Sequence, residues 1–294
     1  MRSYDADAVA ALGPDAAREA IIAALVSAVD PAADTPRTSV ELAKGHFLLM
    51  PSQGPTAAGV KVASVAPGNS ERGLPRIQAV YVLFDGDTLA PRAVLDGTAL
   101  TTLRTPAVSV AATIARLREE PLHLAVIGAG PQAHGHVAAL GAARRLASTT
   151  FLVRRPRSPG DVALGSPSGT TALERADVIV CATSARTPLF DSRVVRDDAV
   201  VIAVGSHEPD ARELDSALLG RATTVVEDVA TALREAGDVV LAVADGALGP
   251  DDLVSMKDVV TGVVRPPADR PLAFKSVGMA WEDLAVATAV VERS

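Results

Sequence analysis

Apolar positions in the first thirty residues recur at helical spacing, through Ile21, Ile22, Leu25, Val26 and Val29. Gly13-Pro14-Asp15 opens this segment, with proline at the first helical position and an acid at the positive end of the dipole. Asp30-Pro31 stops it. Between residues 37 and 100 the period shortens to two. The runs HFLLM, GVKVASV, IQAVYVLFD and APRAVLD are separated by Pro, Gly, Asn and Asp, which predicts a meander of strands. Asp85-Gly86-Asp87 reads as a hairpin turn. A helical period returns over Leu103–Leu117, with Thr105 as its cap and Pro106 as its first residue. From Leu122 onward strands alternate with helices. LHLAVIG, TTFLV, DVIVCAT, AVVIAVG and TTVVED are nearly all apolar, as strands covered on both faces must be. This alternation predicts an α/β protein with a doubly wound parallel sheet of the Rossmann type. The chain closes with FKSVGMAWEDLAVATAVV, read as a Lys-Ser turn and then a helix.

The expected organisation is a mixed α/β domain over residues 1–112 and a Rossmann domain over 113–269. The segment 270–294 is expected to return to the first domain. Pro266-Pro267 is the clearest boundary mark. Two domains suit 294 residues. With 48% apolar and 21% charged residues the chain is globular, and with 3% aromatics its core is built from Ala, Val and Leu.

A net charge of −7 argues against a broad nucleic-acid surface, so an anionic ligand needs a local group of Arg and Lys. The one cysteine, Cys181, rules out an intramolecular disulfide and a cysteine zinc site; within DVIVCAT it reads as a buried strand residue. MRSYDADAVA carries early acids and no apolar signal region, and no run reaches the roughly 18 apolar residues of a membrane helix. A cytoplasmic protein without membrane or nucleic-acid partners is expected.

LHLAVIGAGPQAHGH places Gly128, Gly130 and Ala133 after an apolar strand and at the start of a helix. Gly128 permits a tight turn, Gly130 lets backbone approach a pyrophosphate, and Ala133 lets helix and strand pack closely. Pro131 loses nothing at the first helical position, and the leading N–H groups face the anion. His134 and His136, two apart, read as ordinary helix residues rather than metal ligands, and no metal site is expected. Arg154 and Arg155 end the next strand, where an acid would bind the ribose of NAD(H). Arginine there suits a 2′-phosphate, so NADP(H) is favoured and NAD(H) remains possible. The six Pro and Gly residues of RRPRSPGDVALGSPSGTT predict a loop or one or two turns instead of a full crossover helix.

LPRIQAVYVLFDGDTLAPRAVLDGTALTTLRTPAVSVAA, the GAGPQA turn, VGSHEPDARELD and FKSVGMAWEDLAVA together resemble the ornithine cyclodeaminase/μ-crystallin family, from about Arg37 onward. The resemblance implies a homodimer with a substrate-binding and dimerisation domain, and a Rossmann domain holding NAD(H) or NADP(H). It implies a small α-imino or α-amino acid substrate, with the carboxylate gripped by Arg37, Lys61 and Arg104. The residues themselves suit the task. Arg37 follows a proline, Lys61 lies mid-strand among apolar neighbours and needs a partner, and Arg104 is expected just before a helix N-terminus. The resemblance extends the cofactor site through Ala129 and Gln132 of the turn to Thr183, Ser184, Val204, Gly205 and Ser276, with Arg76 near the phosphates or the nicotinamide.

Two positions depart from the cyclodeaminase pattern. His207 stands where those enzymes carry a carboxylate that handles the substrate amine, and Leu48 where they carry a glutamate. Glu208 is adjacent to His207, but in an extended segment its side chain points elsewhere. Without acids a diamino acid is poorly held. The expectation is an NADPH-dependent reductase of a small cyclic ketimine acid, such as Δ1-pyrroline-2-carboxylate or Δ1-piperideine-2-carboxylate. Lys61 or His207 would keep or supply the imine proton. An ornithine cyclodeaminase, an amino-acid or diamino-acid-forming dehydrogenase, and a non-catalytic NADPH-dependent binder remain open.

Overall fold

A computed structural model describes residues 1–27 and 29–293. Ala28, at the end of the first predicted helix, and Ser294, which ends the expected returning segment, lie outside the described residues. The chain forms two compact units, one of residues 1–108 with 278–294 and one of residues 109–277. Pro266-Pro267 therefore lies inside the second unit, and one boundary falls within the helix Gly97–Thr113 instead of in a linker.

The first unit is built on a six-stranded sheet. Gly45–Gln53, Ala57–Val65, Ile77–Asp85 and Pro91–Asp96 form the expected antiparallel meander. Two edge strands were not apparent from the sequence. Thr38–Leu42 is exposed along its whole length, and Arg2–Tyr4 has three residues and pairs in parallel with Pro91–Asp96. Ala57–Val65 alternates strictly, its odd positions buried from Ala57 to Val65. That alternation turns Lys61 inward among apolar neighbours. The helices Pro14–Ser27 and Ala280–Glu292 pack together within this unit. The second of them also packs on the central strands and buries Glu282 and Asp283 along with its apolar stripe.

The helix expected to start at Pro106 begins nine residues earlier, at Gly97. Asp96 ends the preceding strand and caps the helix, one carboxylate oxygen accepting from Thr98 N and Ala99 N at 2.9 and 2.8 Å. Pro106 is thus interior, where it withholds an N–H from the carbonyl four residues back. Arg104 is consequently a mid-helix residue, not one placed before a helix N-terminus.

The second unit carries an eight-stranded, wholly parallel sheet. Its order is Val254–Ser255, Thr223–Val226, Leu272–Lys275, Val200–Ala203, Val178–Cys181, Leu122–Ile127, Leu146–Val153, Val162–Ala163. This is an α/β, Rossmann-type unit. Leu272–Lys275, read as leading into a turn, is an interior strand instead. The Pro- and Gly-rich stretch after Arg155 does form a helix, Pro167–Arg175, capped by Ser166 through Gly169 N. Pro167 sits at its first turn, where proline is tolerated. Cys181 is fully buried, and burial pushes its thiol well above the usual range.

Candidate active site

Lys61, Arg104 and Arg37 are drawn together in the first unit by the segment Gly278–Asp283. Lys61 Nζ donates to Asp283 Oδ2 at 2.7 Å and more weakly to Thr101 Oγ1 at 3.5 Å. Arg104 Nε donates to the other oxygen of Asp283 at 3.2 Å, and its Nη1 to Glu282. Arg37 Nη2 donates to the carbonyl of Gly278 at 3.2 Å. Gly278 has φ +77°, and a Cβ there would stand 2.8 Å from two guanidinium nitrogens of Arg104. The turn therefore requires glycine both for its backbone and for its approach to Arg104.

Glu282 and Asp283 are fully buried, and Lys61 and Arg104 almost so. Glu282 and Asp283 oppose Lys61 and Arg104, and half-buried Arg37 adds a third cation to the group. Burial, followed by repulsion from Arg104, lowers the Lys61 ammonium to about 8 against the opposing pull of Asp283. A lysine has three N–H donors, and Asp283 takes one of them at close range. The arrangement can accept a small carboxylate.

These two acids were missed in the sequence. They lie in the quoted block FKSVGMAWEDLAVA, but acids in a first helical turn have a ready explanation in the helix dipole. Leu48 is half-buried in the strand Gly45–Gln53, on the same face as Met50 and Ser52. Buried acids thus enter this unit from the last helix, while apolar Leu48 fills the meander position.

In the second unit a cavity of about 760 Å³ opens at the C-terminal ends of the strands. Gly128, Ala129, Arg154, Thr183 and Ser184 line it, together with Gly165 and Arg186. Gly128 has φ +116°, and a Cβ there would stand 2.5 Å from the Ala182 carbonyl oxygen. Gly130 differs. A Cβ there would meet nothing within 4 Å. The turn thus faces open space, and no side chain caps the helix Pro131–Ala143 that follows. Open space above uncapped amides is what an entering pyrophosphate needs, so these residues fit a dinucleotide.

Gln132 and Ala133 form the first turn of that helix, with Ala133 fully buried. Arg154 lines the cavity, while Arg155 is exposed and does not. Arg76 lies on an exposed loop of the first unit. His136 is buried between Gln132 O and Ser109 Oγ, and burial lowers its ring to about 4.

Val204 and Gly205 follow the strand Val200–Ala203 and are half-buried. Ser276 is buried and donates to Glu227 at 2.6 Å. His207 is half-buried in the same loop. Its neighbour Glu208 pairs with Arg186 at the cavity wall, so that carboxylate is engaged there. Behind this loop lie three buried groups absent from the sequence reading: Glu213, Asp238 and Lys275. Lys275 Nζ donates to Ser206 O at 2.6 Å and pairs with Asp238 at 2.9 Å. Among the described residues no group of three His, Cys, Asp or Glu is arranged to hold a metal ion, and no helix is long and apolar enough to cross a membrane.

The sequence matches the ornithine cyclodeaminase/mu-crystallin family over residues 12–294. It is 32% identical over 263 residues to the Delta(1)-pyrroline-2-carboxylate reductase of Colwellia psychrerythraea, covering 84% of this chain and 83% of that one. It is 34% identical over 257 residues to the Delta(1)-pyrroline-2-carboxylate/Delta(1)-piperideine-2-carboxylate reductase of Azospirillum brasilense, covering 83% and 79%. Among solved structures, the Delta(1)-pyrroline-2-carboxylate reductase of Thermococcus litoralis, in complex with NADH and L-proline, aligns with a TM-score of 0.90. That alignment is at 28% identity and spans all of this chain and 97% of the other.

Proposed function

The chain belongs to the ornithine cyclodeaminase/mu-crystallin family, and we propose that it is an NADPH-dependent reductase of a small cyclic imino acid of the Δ1-pyrroline-2-carboxylate or Δ1-piperideine-2-carboxylate type. The observation that carries this reading is the buried assembly of Lys61 and Arg104 around Asp283, with Arg37 on Gly278. Arg37, Lys61 and Arg104 hold the substrate carboxylate. Fixing the carboxylate at these points also fixes the ring, which converts binding into orientation. A protonated imine accepts hydride far better than a neutral one. Lys61, with its ammonium lowered to about 8 by burial, or His207 keeps or supplies that proton. The nicotinamide supplies the hydride to the imine carbon.

Gly128, Ala129, Gly130, Gln132 and Ala133 cradle the pyrophosphate. Thr183, Ser184, Val204, Gly205 and Ser276 flank the nicotinamide side, and Arg154 and Arg155 favour the 2′-phosphate of NADPH. Arg76 is assigned to the phosphates or the nicotinamide. The protein acts in the cytoplasm as a homodimer, for which the exposed Val40, Leu42, Phe47 and Val80 of the first sheet offer an apolar face. The absence of an acid at His207 and Leu48 disfavours a diamino acid. The test is nicotinamide absorbance against time with Δ1-pyrroline-2-carboxylate and NADPH, run beside NADH, beside ornithine with NAD+, and beside pyruvate with ammonia. Consumption of NADPH with the imino acid is expected. Ammonia release from ornithine, or turnover only with pyruvate and ammonia, would overturn the reading.

A further inference from the structure

We propose that Glu213 is a positioning residue for the dinucleotide, a buried strut that sets one wall of the cavity in the second unit by holding the ends of two adjacent strands. Its carboxylate makes three contacts. Oε1 accepts from Thr183 N at 2.8 Å and Thr183 Oγ1 at 2.7 Å, and Oε2 accepts from Gly205 N at 2.7 Å. Thr183 follows the strand Val178–Cys181, and Gly205 follows the neighbouring strand Val200–Ala203. Thr183 lines the cavity, and its hydroxyl accepts from Ala185 N at 3.1 Å, so the hold extends along the wall through Ala185. All three contacts come from donors, which suits the ionised carboxylate.

The strut is itself braced. Asp238 Oδ1 accepts from Glu213 N and Leu214 N, each at 2.8 Å. Lys275, at the end of the strand Leu272–Lys275, pairs with Asp238 and donates to Ser206 O. The C-terminal ends of three neighbouring strands are therefore tied by one cation and two anions, all fully buried. The fit is tight. A Cβ at residue 205 would stand 2.0 Å from the Thr183 carbonyl oxygen and 2.5 Å from Glu213 Oε1, so Gly205 must remain glycine for the strut to reach both loops. A purely structural ion pair would not need its acid to end on backbone amides at a cavity wall.

This inference rests on the cavity holding a nicotinamide dinucleotide. The experiment is direct titration of the protein with NADPH and NADH by nucleotide fluorescence, for the wild type, Glu213→Gln and Glu213→Asp. It is combined with thermal unfolding, the KM of the imino acid, and amide exchange over residues 183–185 and 204–206. Glu213→Gln keeps the shape but turns an amide donor toward Gly205 N–H. Its dinucleotide Kd is expected to rise about tenfold, the scale of one lost hydrogen bond to a charged group. The imino-acid KM should stay within about twofold, with faster exchange in both segments. If Glu213→Gln does not fold, Glu213→Asp, which keeps the charge on a shorter side chain that cannot span both loops, carries the test with a smaller rise in Kd and the same unmoved imino-acid KM.

Unchanged dinucleotide affinity in the variants, with the wild type binding, would overturn the proposal and leave the proposed function standing. So would losses of dinucleotide and imino-acid binding that merely track the loss of folded protein. A wild type that binds neither dinucleotide would overturn both.

Discussion

The first unit buries Lys61 and Arg104 against Asp283 and Glu282; the second buries Lys275 against Asp238 and Glu213. Both combine buried positive charge with an aspartate and a glutamate, but what the acids hold differs. In the first unit the carboxylates engage side-chain cations. In the second they accept four backbone amides, from Thr183, Gly205, Glu213 and Leu214. A cation held by a carboxylate remains able to meet a second anion; a backbone amide so held fixes a loop. The first cluster is thus suited to taking a ligand carboxylate, and the second to shaping a cavity wall. Burial costs both clusters desolvation, so neither is an efficient source of stability by itself. Each is best understood through what it positions.

Removing the central acid of each cluster should separate the two most clearly. Asp283→Ala leaves Lys61 and Arg104 facing each other without their shared counter-ion, and Asp238→Ala leaves Lys275 without its ion-pair partner. Either should cost on the order of 3–5 kcal/mol in urea unfolding, the penalty of an uncompensated buried charge. The functional losses should diverge, with imino-acid KM rising in the first variant and dinucleotide Kd in the second. Equal effects on both ligands in both variants would erase the distinction.

Arg104→Ala tests the clamp with less collateral damage, because the acids can be relieved by protonation. Losing one charged contact to the substrate carboxylate should lower kcat/KM by an amount equivalent to about 2–4 kcal/mol. Near-normal steady-state kinetics would remove Arg104 from the substrate site.

The Lys61 ammonium offers a pH test with opposite signs for folding and activity. Its value in the folded protein, about 8, lies below the 10.5 of a free lysine. Between these values the unfolded chain binds more protons, so this group's contribution makes folding more favourable as pH rises across the window. The charge proposed to grip the carboxylate is lost over the same window. The profile of kcat/KM, which reports the free enzyme, should fall with an apparent value near 8, while Tm does not fall in parallel. Lys61→Arg should remove the limb, because arginine keeps its charge. A limb that survives in that variant belongs to another group.

The two clusters were not equally legible in the sequence. The parallel sheet and the glycine turn were readable because long apolar strands and a tight turn leave local signatures. Arg37, Lys61 and Arg104 could be singled out through family blocks, but the neighbouring acids could not, since Glu282 and Asp283 look like ordinary first-turn residues of a helix. Lys275 concealed a whole strand: a charged residue closing the four-residue run LAFK hides its burial, and the burial is possible only because Asp238, 37 positions away, arrives through the fold. Pro106 misled for a different reason. Proline normally marks a first turn, but Asp96 had already capped the helix, and packing outweighs the local preference of one residue.

The smallest expected effect lies at the edge of the dinucleotide cavity, where the contrast between fixed walls and engaged side chains can be sharpened. Arg154 lines the cavity and Arg155 does not, though the sequence places them together. Both are exposed. An exposed charged contact is screened by salt and its net value is small. Arg154→Ser should therefore reduce the preference for NADPH over NADH only a few-fold, roughly fivefold at low ionic strength and less in high salt. Arg155→Ser should do less still. Fluorescence titration of both dinucleotides at two salt concentrations reads this directly. A larger loss with Arg155→Ser than with Arg154→Ser would mean that the bound 2′-phosphate is gripped from outside the present cavity wall. Equal affinities for NADH and NADPH in the wild type would mean that neither arginine selects the cofactor, and the selectivity assigned to this strand end would be withdrawn.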